Sequence, residues 1–296
     1  MLQLLQLVIG GAAIGCIYAL IALGFVLIYK ATETVNFAQG DLMMVGGFIG
    51  LSAMTLGGMP FWAAFLATVV AMLLLGMLTE RLVLRPLLGQ PAFTVVMLTI
   101  GLGYLGRGVV TMIPYWGTET HTLPVPYKDE VLWIGETGKG LVVSIEHLAI
   151  IVATSVLVVL LYAFFRYTKL GIAMQATSQN QLAAFYMGIP VRRVNMLIWG
   201  ISSAICGAAA LLLAPITFVH ANMGFVGLKA FPAAVVGGFG SIPGALVGGL
   251  IVGIVESLAG FYLPEGFKDI AAYIVVLIML VVKPNGLFGE NTTKKV

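Results

Sequence analysis

The segment 166–193 reads RYTKLGIAMQATSQNQLAAFYMGIPVRR and is the longest basic, polar stretch between two strongly apolar halves of the chain. Ser178 and Gln181 have the spacing of a capping box, which predicts that a helix begins there. Gly188 is placed to end that helix, and Pro190 prevents its continuation. The residues between them give the helix an apolar face with no lipid to cover it, so it needs a partner surface. The alternative is an ordinary loop with a solvated basic rim.

The composition of the whole chain indicates a membrane protein. Of its 296 residues, 60% are hydrophobic and only 9% are charged, against roughly a quarter charged in soluble domains. Long continuous apolar runs exclude an outer-membrane β-barrel, whose strands alternate in polarity. The net charge of +3 is small and lies in loops, so it indicates orientation and not nucleic-acid binding. We expect an all-α polytopic fold, because helices satisfy their own backbone hydrogen bonds in lipid.

Apolar length predicts about eight or nine spans, at about 20 residues for each full crossing. The pieces around 225–260 are short and rich in glycine, so we expect short or broken helices there. We interpret 1–296 as one transmembrane domain, with a first half over 1–113, an outer loop over 114–146 and a second half over 194–283. The candidate spans are 4–29, 37–57, 60–79, 92–113, 147–165, 194–214, 225–239, 242–260 and 269–283.

Lysine and arginine in short loops predict which side of the membrane each loop faces. A cytoplasmic position for 166–193 leaves few basic residues outside, and it places the C-terminus inside. With nine crossings the N-terminus is then outside. The residues predicted to be cytoplasmic are Lys30, Arg81, Arg85, Arg166, Lys169, Arg192, Arg193, Lys283, Lys294 and Lys295, and those predicted to be outside are Lys128, Lys139 and Lys268.

A weak internal repeat in the sequence suggests that the two halves are related. In the first half, the polar stretch 36–41 leads into the glycine-rich stretch 46–50. In the second half, 227–232 leads into 237–240 in the same way. Four spans on either side of a fifth have opposite orientation, so we expect an inverted repeat. In that layout substrates cross at the interface between the halves.

Charges within apolar surroundings are candidates for a translocation path. Asp41, Lys229 and Glu256 lie in or at the ends of predicted spans, where charged groups are costly and normally face the protein interior. The proposed symmetry suggests that Lys229 pairs with Asp41 or Glu256. The alternative is that all three lie near the headgroups. Asn36 and Gln39 either line a polar path or cap a helix.

Motifs for catalysis or metal binding are not found in the sequence. It contains no His-Glu-x-x-His, Gly-x-Ser-x-Gly or phosphate-binding loop, and its two cysteines lie inside apolar runs. An intramembrane enzyme is therefore the weaker class, and we expect no metal site. A transporter without a nucleotide site uses an ion gradient or a partner ATPase, and the helix within 166–193 favours the ATPase.

The chain resembles the LivH-type permeases of branched-chain amino-acid ABC importers over nearly its whole length. The resemblance lies in the stretches GCIYALIALG at 15–24, VNFAQGD at 35–41, KAFPAAVVGGFGSIPG at 229–244, GIVE at 253–256 and KPNGLFG at 283–289. It implies a multi-pass permease subunit of the bacterial inner membrane that imports branched-chain or related amino acids. Relatives that import urea or short amides, and an ion-driven secondary transporter, stay open as alternatives.

The resemblance also implies partners. These are a second, homologous permease, two cytoplasmic ATPases that bind ATP and Mg²⁺, and a periplasmic binding protein, so this chain would bind no cofactor itself. Segment 166–193 is similar to the coupling loop of ABC importer permeases, which reads Glu-Ala-Ala-x-x-x-Gly; Ala183, Ala184 and Gly188 match it, and the Ile-x-Leu-Pro portion that follows in the family is not evident. Leu182 stands where Glu is usual, so we expect docking by shape and apolar contact. The residues predicted to couple to the ATPase are Gln181, Leu182, Ala183, Ala184 and Gly188.

Overall fold

The computed structural model describes residues 2–87, 89–117, 119–134 and 141–289. The predicted outer Lys139 and the predicted cytoplasmic Lys294 and Lys295 lie outside these residues. The helices are α1 Leu2–Thr32, α2 Gln39–Thr55, α3 Phe61–Thr79, α4 Ala92–Met112, α5 Ile145–Tyr167, α6 Lys169–Gln179, α7 Gln181–Tyr186, α8 Val191–Thr217, α9 Phe225–Gly237, α10 Ile242–Tyr262 and α11 Phe267–Val282. A π-helical turn, Glu80–Leu84, and a 3₁₀ turn, Arg85–Leu87, extend α3.

Each of the nine predicted spans coincides with a helix, which confirms an all-α polytopic fold. Among the described residues, six helices are long and apolar enough to cross a membrane, namely α1, α3 with its extension, α4, α5, α8 and α10. The other three, α2, α9 and α11, have 17, 13 and 16 residues. Short or broken helices were expected around 225–260. α9 is short, but the prediction is wrong for α10, which is one continuous helix of 21 residues. α2 is a short helix that was not expected.

Glycine pairs allow the central helices to approach closely. α1 and α10 run antiparallel, and a Cβ built on Gly253 would lie only 2.3 Å from the Cα of Gly15. On the same contact, a Cβ on Gly11 would lie 2.9 Å from the Cα of Ile254. Backbones that approach in this way gain van der Waals contact, which is the main attraction between helices in lipid. α1 and α8 are the most buried of the long helices and form the centre of the bundle, and α10 packs along α1.

Helix contacts repeat between the halves when α1–α4 are matched with α8–α11. α1 packs along α10 as α8 packs along α3, and α9 lies on α1 as α2 lies on α8. The N-termini of α2 and α9 meet, because a Cβ on Gly227 would lie 2.4 Å from the Cα of Gly40. Two short helices, one from each half, that meet near the centre of the bundle are the arrangement expected for an inverted repeat.

The loops gather at two ends of the bundle. At one end, which we call the basic end, the Tyr29 and Phe239 rings lie 5.0 Å apart, and Leu287 N–H donates to the Val236 carbonyl at 2.9 Å. The loops that carry most of the basic residues predicted as cytoplasmic gather here. At the other end, the hairpin end, Gln6 at the start of α1 donates to the Val142 carbonyl at 3.3 Å.

The predicted outer loop contains regular structure that the sequence did not predict. Strands β1, Val131–Ile134, and β2, Leu141–Ser144, form an antiparallel hairpin in which Leu132 pairs with Val143. The Ser144 side chain then caps α5 by accepting the Glu146 N–H at 3.2 Å. α5 therefore begins at Ile145, two residues before the predicted span.

Segment 166–193 differs from the prediction at its start. Residues 169–179 form α6, which was expected to be a polar run, and the proposed capping box at Ser178 and Gln181 is wrong. Ser178 lies within α6, where its hydroxyl donates to the Gln175 carbonyl at 2.8 Å. Asn180 is the actual cap of α7, since its side-chain oxygen accepts the Ala183 N–H at 2.9 Å. A residue already held inside one helix cannot cap the next.

Candidate functional site

The C-terminus of α7 is fixed by Gly188, as predicted. Gly188 has φ +82°, a conformation that favours glycine. Its N–H donates to the Phe185 carbonyl, and the Ile189 N–H donates to the Ala184 carbonyl, both at 3.0 Å. These two bonds form a Schellman motif. α7 is therefore a short helix with defined ends, and it turns directly into α8 at Pro190.

Two contacts anchor α7 to the bundle. Ala184, on the inner face of α7, is buried. The Gln181 amide donates a hydrogen bond to the Ala31 carbonyl at the end of α1. Of the predicted coupling residues, Leu182 and Ala183 are exposed, whereas Ala184 faces inward and holds the helix in place. α7 is thus attached to both α1 and α8.

The outer face of α7 is apolar and exposed. Between 64% and 83% of Leu182, Phe185, Tyr186 and Met187 is accessible. A groove of about 790 Å³ follows this face. It is lined by Gln181, Leu182, Phe185, Pro190, Val191, Arg192 and Arg193.

The predicted path residues fall into three separate clusters, of which the first is an amide cluster below α7. Asn36 and Gln39 are fully buried, and the Asn36 amide donates to Gln39 Oε1 at 3.1 Å. The Gln39 amide contacts Ser202 Oγ and Cys206 Sγ, both at 2.9 Å. The Ser202 hydroxyl lies 3.1 Å from the Gly24 carbonyl. The two polar residues therefore join α2 to α1 and α8 in the closed interior of this chain.

This amide cluster lies near the middle of the bundle. Ser202 is about 16 Å along α8, whose 27 residues span about 40 Å at about 1.5 Å per residue. Gly24 allows the contact, because a Cβ there would lie 1.9 Å from Gln39 Nε2. The Asn36 side chain also accepts the Ala38 N–H at 3.1 Å, so it orders the turn that leads into α2. α2 begins at this depth.

The second cluster is an ion pair beside the N-terminus of α2. Arg107 Nη2 on α4 lies 2.8 Å from Asp41 Oδ1, and the side chains are 22% and 15% exposed. The guanidinium also lies 4.4 Å from the centre of the Phe225 ring. An isolated charge at this depth in lipid costs about 2.5–3.5 kcal/mol even on the lowest scale. Pairing offsets much of that cost.

The third cluster joins α9, α10 and α11. Lys229 Nζ lies 3.0 Å from Glu256 Oε1 and 2.6 Å from Asp269 Oδ1. The Tyr18 hydroxyl of α1 donates to Glu256 Oε2. The side chain of Glu256 is 3% exposed and that of Asp269 is 71% exposed. The cluster therefore has one acid in the core and one at the surface.

The predicted Lys229–Glu256 pair is thus present, and the alternative Lys229–Asp41 pair is wrong. Asp41 lies against Gly224 at the start of α9 and bonds to Arg107, whereas Lys229 lies further along α9 against α10 and α11. All three charged candidates are held by partners within the bundle.

The sequence interpretation did not identify the residues that bond to the path candidates. The most important of these is Arg107, because it is the charged partner of Asp41. Arg107 is the sole charged residue in the sequence of α4, and a lone charge within an apolar span is a signal that was available. Tyr18, Ser202 and Asp269 carry no comparable signal, since a hydroxyl or a helix-end acid is common in membrane helices.

Comparison with known proteins identifies the family. Residues 7–283 match the family described as the permease component of the branched-chain amino acid transport system. The chain belongs to this permease family. It is 30% identical over 307 residues to the high-affinity branched-chain amino acid permease LivH of Salmonella typhimurium, covering 100% of this chain and 98% of the relative. No solved structure matches the chain.

Further relatives include a second branched-chain amino acid permease and a more distant fructose permease. BraD of Pseudomonas aeruginosa, a branched-chain amino acid permease, is 30% identical over 99% of this chain and 98% of its own length. The fructose import permease FruF of Bifidobacterium longum is 25% identical over 81% of this chain and 66% of the relative. The chain is therefore a multi-pass membrane permease, and the matched region includes α7 and all three clusters.

Proposed function

We propose that this permease is the membrane-spanning subunit of an ATP-driven importer that moves branched-chain or related amino acids into the cytoplasm. The observation that carries the proposal is α7. It is a short helix with fixed ends, an exposed apolar face and direct attachments to α1 and α8. Large apolar faces on the water-exposed part of a protein mark interaction sites, and the sequence contains no phosphate-binding loop of its own.

The occupant of the α7 groove is a cytoplasmic ATPase that binds ATP and Mg²⁺. Two such ATPases would serve a pore formed by this chain and a second, homologous permease, and a periplasmic binding protein would deliver the substrate. FruF and FruG, two distinct fructose import permeases of one organism, are both relatives, which supports a pore built from two permeases. The bulk of the basic residues lie at one end of the bundle, and this favours an inner-membrane protein with that end and the C-terminus in the cytoplasm.

Movement at α7 has a short route to the centre of the bundle. The Gln181 hydrogen bond attaches α7 to α1, and Pro190 joins it to α8. These two helices supply Gly24, Ser202 and Cys206 to the amide cluster that holds the start of α2. A displacement of α7 by closing ATPases would therefore shift the helices against which α2 and α9 rest, and rock the two halves.

Purification after mild solubilisation, together with the ATPase activity of the recovered complex, tests the proposal. We expect the ATPase subunits to co-purify with the wild type. Leu182→Asp should abolish transport-coupled ATP hydrolysis and weaken co-purification, because it places a charge on the apolar docking face. Gln179→Asp is the matched control, since it adds the same charge at an exposed position nearby on α6 and removes no apolar side chain. Normal coupling in Leu182→Asp would overturn the docking role.

A further inference from the structure

A cavity of about 230 Å³ lies where the N-termini of α2 and α9 meet beside α4. At about 30 Å³ for one water molecule, its size suits a small metabolite and not a large ligand. We call it the junction cavity. Its walls include Phe37, Asp41, Tyr104, Arg107, Phe225 and Leu228.

The charges in the junction cavity are accessible. Asp41 and Arg107 are both partly exposed, although Asp41 lies only two residues after the fully buried Gln39 at the start of α2. Lipid is a poor cover for an ion pair at this depth. The open side of the cavity must therefore meet a polar path or a protein surface.

Arg107 has donor capacity that this chain does not use. Its Nη2 group bonds to Asp41, while its Nε is buried and has no hydrogen-bond partner among the described residues. A guanidinium carries five N–H donors in a planar fork that matches a carboxylate. Arg107 can therefore donate hydrogen bonds to a second carboxylate.

Glycines set the position of the Asp41 carboxylate. A Cβ on Gly103 would lie 2.4 Å from Asp41 Oδ2, and one on Gly224 would lie 2.6 Å from Asp41 Oδ1. The carboxylate thus occupies the space that two side chains would otherwise fill. It lies against backbone on both sides, with its charge next to the cavity.

An α-amino acid complements this arrangement. We propose that the junction cavity binds the transported amino acid as its zwitterion, with Arg107 on the α-carboxylate and Asp41 on the α-ammonium group. The zwitterion replaces one ion pair by two and leaves the net charge of the site unchanged. Phe37, Phe225 and Leu228 offer an apolar wall to an aliphatic side chain. The proposal rests on the proposed function, because it takes an aliphatic amino acid as the substrate.

Equilibrium binding of radiolabelled L-leucine tests the proposal. The sample is the permease with its native partner subunits in lipid nanodiscs, without the binding protein, so that the cavity alone selects the ligand. The competitors are unlabelled L-leucine, 3-methylbutylamine, which lacks the carboxylate, and 4-methylpentanoate, which lacks the ammonium group. For the wild type we expect each one-charge analogue to compete at least tenfold more weakly than L-leucine.

The variants should shift this selectivity in opposite directions. Arg107→Gln should weaken L-leucine binding at least tenfold and remove the discrimination against 3-methylbutylamine. Asp41→Asn should remove the discrimination against 4-methylpentanoate. Arg81→Gln, which removes an exposed charge at the basic end, is the control and should bind like the wild type. If the charge-removing variants fail to fold, Arg107→Lys and Gly224→Ala keep both charges and should still lower affinity.

Two results would overturn the proposal. One is unchanged L-leucine affinity and selectivity in Arg107→Gln and Asp41→Asn. The other is a wild-type complex that imports L-leucine with ATP but binds none in the absence of the binding protein. That second result would leave the proposed function intact. A complex that imports no amino acid at all would remove the proposed function, and this inference with it.

Discussion

The two halves of the bundle carry charged clusters on corresponding helices, yet the clusters differ in sign and in surroundings. In the first half, the short helix α2 contributes an acid, Asp41, to a base on α4. In the second half, the short helix α9 contributes a base, Lys229, to an acid on α11. The first pair borders a cavity. The second adds Glu256, which is buried beneath it and also bonded to Tyr18.

This difference suggests that the two clusters have different roles, although they lie on corresponding helices. Glu256 is bonded through both of its oxygens and only 3% exposed, so a ligand has no access to it, and losing it would leave Lys229 and Tyr18 without their buried acceptor. The Asp41–Arg107 pair has space beside it and spare donors. We therefore expect the second-half cluster to govern folding and the first-half cluster to govern transport.

The largest expected effect is on stability, from Glu256→Ala. Removing one member of a buried ion pair costs about 3–5 kcal/mol, because Lys229 keeps only the exposed Asp269 as its counter-charge and the buried Tyr18 hydroxyl loses its acceptor. Thermal unfolding of the purified protein should show a large loss of stability. Glu256→Gln, which keeps an acceptor for Tyr18, is the milder comparison. Equal melting temperatures for Glu256→Ala and the wild type would contradict a structural role for this cluster.

Gly253→Ala should come next, because it acts on the helix pair that brings Tyr18 to Glu256. Its Cβ would meet the backbone of Gly15, which cannot rotate away, so α1 and α10 must separate. Overpacking of this kind costs about 1–3 kcal/mol. Gly101→Ala is the control, since nothing lies within 4 Å of its Cβ, and its effect should stay within about 0.5 kcal/mol. Similar losses in both variants would show that helix separation is not the cause.

Asp41→Asn should have a smaller effect on stability and a large effect on uptake. A double-mutant cycle of Asp41→Asn with Arg107→Gln should give a coupling energy of about 0.6–1.7 kcal/mol, the range for polar contacts between membrane helices. Uptake of L-leucine should fall at least tenfold. A coupling energy as large as the Glu256 loss, with normal uptake, would reverse the assignment of the two clusters.

Gly224→Ala should have the smallest effect on folding. Its Cβ would meet a side-chain carboxylate that can move, in contrast to the backbone contact at Gly253. We expect an unfolding temperature near that of the wild type, with reduced uptake because the Asp41 carboxylate is displaced. A protein that fails to fold would show that the first-half cluster is as rigid as the second.

The six long spans were predictable from the sequence because lipid imposes a simple length requirement on apolar helices, whereas α2, α9 and α11 are shorter than that requirement. Gly188 was predictable for a similar reason, since a left-handed turn after a helix favours one residue type. The N-cap of α7 was not predictable, because Ser178 and Asn180 are both good capping residues and the choice between them depends on where α6 ends.

The clusters were harder to predict because tertiary contacts choose each partner. Asp41, Lys229 and Glu256 could be named as candidates from their apolar neighbours, although the sequence left open a position near the headgroups, and of the three only Glu256 is buried. Which acid meets which base depends on α2 and α9 meeting by their N-termini, and Gly40 and Gly227 reveal that contact only in three dimensions. Asn36 and Gln39 could equally have lined an open path, whereas in this chain they are closed against Ser202 and Cys206.

Uptake of radiolabelled L-leucine by proteoliposomes is the most direct test of ATP-driven import by this permease. The vesicles contain the permease with its co-purified subunits and trapped ATP, and the binding protein and L-leucine are outside. We predict accumulation that requires hydrolysable ATP, is insensitive to ionophores and is lost in Leu182→Asp. Accumulation by this chain alone, driven by an imposed ion gradient, would contradict it.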